Sequence, residues 1–232
     1  HRRQPQFEVR RAEWMDPSQI PAAEAPGQLI PVSQLMRSMP DHPAVNYMVH
    51  ERRYTSHLLD HYNITYCSQA MPKFREAQGR VIFPIIMNGQ MVGWQGRYLG
   101  TADWRIVPKY YGLPGMRKRL MLYNYDNAKD KPFVVVVEGP TDAHVVGDHG
   151  VAILGKNMSR YQYELLVNTW TDKPVILIFD PDAREEMRGT LADMRANEVI
   201  LPDGFDCGDY DRNTLWNIIR SQAEQRGVIL PH

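Results

Sequence analysis

Residues 133–143 read FVVVVEGPTDA, and residues 175–183 read VILIFDPDA. Both stretches open with continuous apolar runs, at 133–137 and 175–179, which are typical of strands buried on both faces. Further strand candidates lie at 151–154 and 198–201, and helical stretches are predicted at 141–149, 159–170, 183–196 and 213–226. Buried strands that alternate with helices of this length predict an α/β fold whose parallel sheet is flanked by helices.

The part of the chain before residue 131 has a different, mixed α+β pattern. A helical region is predicted from Asp41, which can cap it, and a second short helix carries Leu58, Leu59 and Tyr62. Two strands are predicted at 81–87 and 91–99. Asn88-Gly89 separates them and predicts a tight hairpin, because both residues tolerate positive φ.

These patterns divide the 232 residues into four segments. Residues 1–40 contain prolines throughout and are predicted to be an extended arm or linker. Residues 41–130 form a basic N-terminal subdomain, residues 131–212 the parallel-sheet domain, and residues 213–232 a C-terminal helix and tail.

Composition excludes several classes of protein. No apolar run approaches the roughly 20 residues that span a bilayer, and no apolar stretch follows the basic start, so neither a membrane segment nor a secretory signal is expected. The two cysteines, Cys67 and Cys207, are far apart. This spacing excludes a zinc ribbon within this chain, makes a disulfide framework unexpected and favours a reducing cytoplasm.

The zero formal net charge hides an uneven distribution. Residues 71–125 contain nine Lys and Arg against two Asp and Glu, whereas residues 133–212 contain fifteen Asp and Glu against seven Lys and Arg. A basic half beside an acidic half suits a phosphate-rich polymer on one side and cations on the other. Two solvated faces of opposite sign would give the same totals.

Carboxylates follow three of the predicted strands directly. Glu138 and Asp142 follow the first, Asp180 and Asp182 follow the third, and Asp206 and Asp209 lie in a glycine-containing loop after the last. Active sites in parallel sheets gather at the carboxyl ends of the strands, so these groups are expected on one rim.

Clustered carboxylates repel one another, so their negative charge must be balanced by nearby positive charge. Mg²⁺ and similar hard cations supply it, and two such ions are a known device for phosphoryl transfer. A single D-x-D after a strand is about as often a turn or a helix cap, so the prediction depends on all three strand ends together. Asp203, which precedes Gly204, is expected to be a turn residue.

The stretches VVVVEGPTDA (134–143), LIFDPDA (177–183) and LPDGFDCGDY (201–210) resemble the three acidic motifs of the Toprim domain, which DnaG-type primases, topoisomerases and some nucleases share. Upstream, residues 42–66, 79–100 and 108–128 are similar to the polymerase domain of the primases alone. The resemblance covers about residues 42–220 in order and implies a bacterial or phage DnaG-type primase core.

The resemblance implies roles for the acidic residues. Glu138, Asp180 and Asp182 match catalytic, metal-binding positions, and Asp206 a fourth metal-binding position. Asp142 and Asp209 would support the site. Two or three Mg²⁺ or Mn²⁺ ions are implied as cofactors.

The basic half implies nucleotide and nucleic-acid contacts. By the same match Arg80, Arg97, Lys109 and Lys118 face template, nucleotide or nascent RNA, and Lys156 could touch a triphosphate. A departure from the family occurs after the D-x-D, where Ala183-Arg184 replaces the usual Ala-Gly.

The function that the resemblance implies is template-directed synthesis of RNA primers by nucleotidyl transfer in the cytoplasm of a bacterial or phage-infected cell. The implied partners are a single-stranded DNA template, ribonucleoside triphosphates and an RNA–DNA hybrid, with a replicative helicase or a separate zinc-ribbon module as further candidates and no membrane. A Toprim-type metal-dependent nuclease and a non-catalytic nucleic-acid-binding replication protein remain alternatives.

Overall fold

The structure is a computed structural model that describes residues 16–181, 183–184, 197–202 and 204–231. Its first half is built on an antiparallel sheet in which neighbours along the chain are neighbours in space. The five strands are β1 (Gly27–Pro31), β2 (Thr65–Ala70), β3 (Val81–Met87), β4 (Gln90–Arg97) and β5 (Tyr110–Gly112).

The β3–β4 hairpin confirms the Asn88-Gly89 prediction. Both residues have positive φ, 52° for Asn88 and 77° for Gly89, as a tight two-residue hairpin turn requires. The carboxylate of Asp126 accepts hydrogen bonds from the backbone N–H groups of both turn residues, each at 2.7 Å. The tip of the hairpin is therefore tied to the segment that leads into the second sheet.

The prediction of an extended arm through residue 40 is wrong from Gly27 onward. Residues 27–31 pair with β2, and the next residues form helix α1 (Val32–Ser38), whose Val32 and Leu35 are buried. The prolines still limit this helix, which ends before Pro40. Local sequence could not reveal the pairing because the partner strand, β2, lies more than 30 residues away and was not predicted.

The two helical segments predicted after residue 40 are present. The first consists of α2 (Pro43–Val45) continued by a π-helical turn, Asn46–Glu51, and the second is α3 (Ser56–His61). The capping residue is His42 rather than the expected Asp41, because the His42 Nδ1 atom accepts a hydrogen bond from the Ala44 N–H.

The second half confirms the predicted α/β class. Four parallel strands lie in the order β7-β6-β8-β9. Their bounds are β6 (Val134–Val137), β7 (Gly150–Ala152), β8 (Val175–Leu177) and β9 (Asn197–Glu198). The helices of this half are α4 (Tyr125–Ala128), α5 (Pro140–Val146), α6 (Arg160–Thr169) and α7 (Arg212–Gln225).

Most of the predicted helix at 183–196 lies outside the described residues. Its start is visible, since the Arg184 N–H donates to the Asp180 carbonyl at 3.0 Å, a helical hydrogen bond. Asp203 also lies outside them. The division into four segments stays a prediction beyond the correction at residues 27–38.

One hydrophobic core runs through both sheets, joining Phe83 and Met87 of β3 to the valines of β6. The buried His144 of α5 lies at the junction, where it bonds to Tyr54 and Tyr123 and stacks on Tyr62 with ring centroids 3.8 Å apart. Cys67 and Cys207 are both free and buried. Within the described ranges, none of the helices is long and apolar enough to cross a membrane.

Candidate active site

A cleft of about 770 Å³ opens at the carboxyl ends of β6 and β8. The residues that follow these strands, Glu138 and Asp180, line one side, and residues from β4 and β5 line another, so both sheets contribute. The cleft therefore lies where the topology of a parallel sheet leads one to expect a site.

Glu138 and Asp180 are adjacent because their strands are paired. Val136 of β6 lies opposite Leu177 of β8, so the residues that leave the two strands emerge side by side. The backbone N–H of Asp180 donates to the Glu138 Oε1 atom at 3.0 Å. This bond fixes the Glu138 carboxylate at the start of the segment that carries Asp180.

Asp142 lies in the first turn of α5, close to the other carboxylates. Burial raises its pKa to about 7, and repulsion from Asp206, Asp180 and Glu138 adds to the effect, while Arg52 acts in the opposite direction. A carboxyl group that responds to three others must share one electrostatic environment with them. Four of the six acidic residues predicted at three strand ends therefore line one cleft, namely Glu138, Asp142, Asp180 and Asp206.

Asp206 and Asp209 cap a short 3₁₀ turn, Cys207–Asp209, after β9. The Asp206 Oδ1 atom accepts from the Gly208 N–H at 2.7 Å, and the Asp209 Oδ2 atom accepts from the Asp206 N–H at 2.8 Å. This reciprocal pair holds Asp206 at the cleft. Asp209 thus helps to hold the backbone of Asp206 in position.

Cys207, between these residues, reports the same convergence. Burial raises the pKa of its thiol well above the ordinary value, and Asp142, Asp206 and Asp180 raise it further. The thiol therefore stays protonated at neutral pH. This excludes a thiolate nucleophile at this position.

The donor set fits a hard divalent cation. It consists of carboxylate oxygens, the ligands that Mg²⁺ and Mn²⁺ prefer, and glycines leave space between them. A Cβ on Gly139 would lie 3.1 Å from Asp142 Oδ2, and one on Gly208 only 2.9 Å from Asp206 Oδ1. Over the described ranges, no three His, Cys, Asp or Glu side chains are already grouped tightly enough to hold a metal. Asp182, the remaining predicted ligand, lies outside those ranges.

Three of the five predicted basic residues line the cleft, namely Lys109, Lys118 and Lys156. The Lys118 Nζ atom lies 3.5 Å from the position that a Cβ on Gly155 would take, so it reaches the loop after β7. These ammonium groups face the same space as the carboxylates, as a site for a metal-bound polyphosphate requires.

Arg80 does not face the cleft, contrary to the sequence prediction. Its side chain is only 2% exposed. Its Nε and Nη1 atoms donate to backbone carbonyls of Glu76, Gly96 and Pro108 at 2.6, 3.3 and 2.9 Å. The guanidinium also lies 5.3 Å from the Tyr98 ring centroid and 5.9 Å from that of Tyr111. Arg80 therefore joins the start of β3 to β4 and to the segment before β5.

Arg97 is also buried, at 9% exposed, but differs from Arg80 in its hydrogen bonding. Its Nε and Nη1 atoms have no hydrogen-bond partner in the part of the chain that the structure describes. The guanidinium lies 5.3 Å from the ring centroids of Tyr47 and Tyr110 and 5.8 Å from that of Trp104. Buried donors without partners are costly, and a bound anion would satisfy them.

Sequence reasoning missed Arg52, which also lines the cleft. It lies 86 positions before Glu138 in the chain, at the end of the π-helical turn, and nothing in its local pattern marks it as a site residue. Only the packing of the first half against the acidic edge brings it there.

Comparisons with known proteins agree with this architecture. No family model matches the chain. A curated DNA primase from Synechococcus elongatus is 32% identical over an alignment of 161 residues, and the match covers 60% of this chain and 22% of that protein. The RNA polymerase domain of Mycobacterium tuberculosis primase DnaG superposes with a TM-score of 0.65 at 19% identity, covering 81% of this chain and 78% of that one.

A further solved structure, of a DnaG primase catalytic domain bound to ssDNA, gives a TM-score of 0.66 at 21% identity and covers 83% of this chain and 74% of that one. The chain has the fold of a DnaG primase catalytic core.

Within this primase fold the acidic edge and the lysines occupy one cleft. Arg184 stands where the primase sequences usually have glycine, and it also lines the cleft. Its Nε atom donates a hydrogen bond to Glu198 Oε1 at 2.5 Å. The chain spans 22% of the length of the curated primase that it matches.

Proposed function

We propose that this chain is the catalytic core of a DNA primase, which joins ribonucleotides into short RNA primers on a single-stranded DNA template. The observation that carries the proposal is one cleft, in a primase fold, lined both by carboxylates from three strand ends and by three lysines. Nucleotidyl transfer needs both sets, because cations must be held while a triphosphate is bound.

The carboxylates would hold two or three Mg²⁺ or Mn²⁺ ions. Glu138, Asp180, Asp182 and Asp206 are the proposed ligands, and Asp142 supports them. When bound, the ions supply activation of a 3′-hydroxyl and neutralisation of the charge on the phosphates. The hydrogen bond from the Asp180 N–H keeps Glu138 in place for this task.

The basic residues would bind the nucleotide and the nucleic acid. Lys109, Lys118 and Lys156 line the cleft and would act as point charges on phosphates. Arg97 can donate from its two unpartnered nitrogens, Nε and Nη1, to phosphate oxygens. A template is proposed by analogy with the ssDNA that one structural relative binds. The further predicted partners are an RNA–DNA hybrid, a helicase and a separate zinc-ribbon module. The predicted location is the cytoplasm.

The test is incorporation of labelled ribonucleotides on unprimed single-stranded DNA. Asp180→Asn and Asp182→Asn are each expected to lower the rate by at least about 100-fold, because positioning and charge neutralisation carry this chemistry. Asp172→Asn is the matched control. It makes the same change at an exposed residue before β8, at the opposite end of the strand, and should retain the wild-type rate.

The same reaction series separates the alternatives. A nuclease would cleave labelled DNA with metal in the absence of nucleotides, and a binding protein would retain DNA without any turnover. Equal incorporation by wild type and both site variants would refute the assignment of the metal ligands.

A further inference from the structure

Arg52 is placed at the acidic edge by the way its helix ends. Its backbone N–H donates to the Tyr47 carbonyl at 3.0 Å, closing the π-helical turn, and Arg53 then adopts a left-handed conformation with φ of 61°. The chain turns away after this point. The half-buried Arg52 side chain is left projecting into the cleft, with its guanidinium 5.5 Å from the Tyr47 ring centroid.

The guanidinium shares one small space with two of the carboxylates. A Cβ built on Gly208 would lie 3.0 Å from Arg52 Nη1, 2.9 Å from Asp206 Oδ1 and 4.0 Å from Asp142 Oδ1. The three charged groups therefore surround a single glycine. A side chain at this position would begin with that Cβ and would displace Asp206, Arg52 or both from this space.

The charges of these groups act on one another. Burial lowers the pKa of Arg52, but Tyr47, Tyr110 and Asp206 outweigh it, so the pKa is raised. Arg52 in turn opposes the burial and repulsion that raise the pKa of Asp142. Arg52 is thus a permanent cation beside the Asp142 and Asp206 carboxylates, whereas Glu138 and Asp180 are joined to each other on the strand ends.

We infer that Arg52 is a positioning residue that supplies a fixed positive charge to Asp142 and Asp206 and thereby directs divalent ions toward the Glu138–Asp180 side of the cleft. The inference rests on the proposed function. It assigns the basic half of the chain a direct part in arranging the metal site, in addition to binding phosphates.

The two effects of this charge have opposite signs, which makes the inference testable. A fixed cation weakens the attraction of the cluster for divalent ions, because it cancels part of the negative charge. It also holds the Asp142 and Asp206 carboxylates in place, so that Asp206 can ligate ions held on the Glu138–Asp180 side. Removing the charge should therefore tighten metal binding while slowing catalysis. A residue needed only for folding would weaken both.

The experiment measures binding of Mn²⁺ by electron paramagnetic resonance of the free ion, alongside primer synthesis at saturating Mn²⁺. Arg52→Gln should bind Mn²⁺ at least about threefold more tightly than wild type and synthesise primers at least about tenfold more slowly. Arg52→Lys keeps the charge and should restore the Mn²⁺ affinity to within about twofold of wild type.

Arg53→Gln is the matched control. It removes the same charge one residue later, from an exposed side chain, and should change neither quantity. Arg52→Met is an independent variant, because it removes the charge and leaves Gly208 and the two carboxylates unchanged. It should shift the Mn²⁺ affinity in the same direction as Arg52→Gln, and it decides the matter if Arg52→Gln does not fold.

Unchanged or weaker Mn²⁺ binding by the folded Arg52→Gln protein overturns the inference, as does an equal gain in Arg53→Gln. Either of these outcomes would leave the proposed function standing, provided that the wild-type protein binds Mn²⁺ and makes primers. Wild-type protein that neither binds Mn²⁺ nor incorporates nucleotides would refute the proposed function itself.

Discussion

Asp142 shows at the level of a single residue how burial and charge act together. Its pKa rises to about 7 because the group is buried beside Asp206, Asp180 and Glu138, with Arg52 as the opposing charge. In the unfolded chain it would ionise near the ordinary aspartate pKa of 3.8. The folded protein therefore binds this proton more strongly than the unfolded chain does.

A pH dependence of stability follows from this difference. Between the two pKa values the folded state carries the extra proton, so raising the pH favours unfolding, and the effect levels off above the folded pKa. In EDTA, the melting temperature of Asp142→Asn should exceed that of wild type by an amount that grows from pH 4 to pH 8. Thermal unfolding monitored by circular dichroism at several pH values measures it.

Metal provides the control for this prediction. At pH 8, Mg²⁺ should raise the melting temperature of wild type, because a bound cation reduces the repulsion on Asp142. The difference in melting temperature between Asp142→Asn and wild type should then become smaller. A gap that is the same at every pH would show that Asp142 is not the titrating group.

At the scale of elements, the turns and strand ends set the positions of the functional groups. The β3–β4 hairpin carries Arg97 at its end and pairs with β5, which leads from Lys109. Asp126, in α4 just before β6, fixes the tip of this hairpin by accepting hydrogen bonds from two backbone N–H groups. The Asn88-Gly89 turn, which lies away from the cleft, thus links the hairpin that carries basic residues to the segment that leads into the acidic strand ends.

Asp126→Ala should lower the free energy of unfolding by about 1–3 kcal/mol, since two charge-assisted hydrogen bonds to the turn are lost. Urea unfolding measures the change. Asp130→Ala, at a nearby exposed aspartate, is the matched control and should stay within about 0.5 kcal/mol of wild type. Equal losses in both variants would contradict the role assigned to Asp126.

At the scale of the whole molecule, His144 joins the two halves. Burial, together with the charges of His61 and Arg212, holds its pKa well below the ordinary value, so the ring is neutral. One ring nitrogen then donates and the other accepts, and both are used, by Tyr54 at 2.5 Å and Tyr123 at 2.7 Å. Tyr54 follows the π-helical turn that places Arg52, and His144 follows Asp142 on α5.

Because one core crosses both sheets, the protein should unfold in a single transition by calorimetry. His144→Phe leaves two buried hydroxyl groups without their partner and should cost about 2 kcal/mol or more. His50→Phe, at an exposed histidine, serves as the control. Two separated transitions in the wild-type protein would contradict the continuity of the core.

The sequence alone determined the features that depend on local pattern. The apolar runs that end in Glu138 and Asp180 identified the parallel strands and the edge where their carboxylates meet, because the carboxyl ends of parallel strands must lie on one edge. Asn88-Gly89 identified the hairpin, because few residue pairs adopt its backbone angles.

Tertiary structure decided what distant segments do to one another. Residues 27–31 became a strand only through pairing with β2. Arg80, just before β3, and Arg97, at the end of β4, carry the same charge and are both buried, yet they meet different surroundings. Arg52 came to the carboxylates through helix packing. Burial and electrostatic environment depend on neighbours that local sequence does not specify, so these assignments required the folded chain.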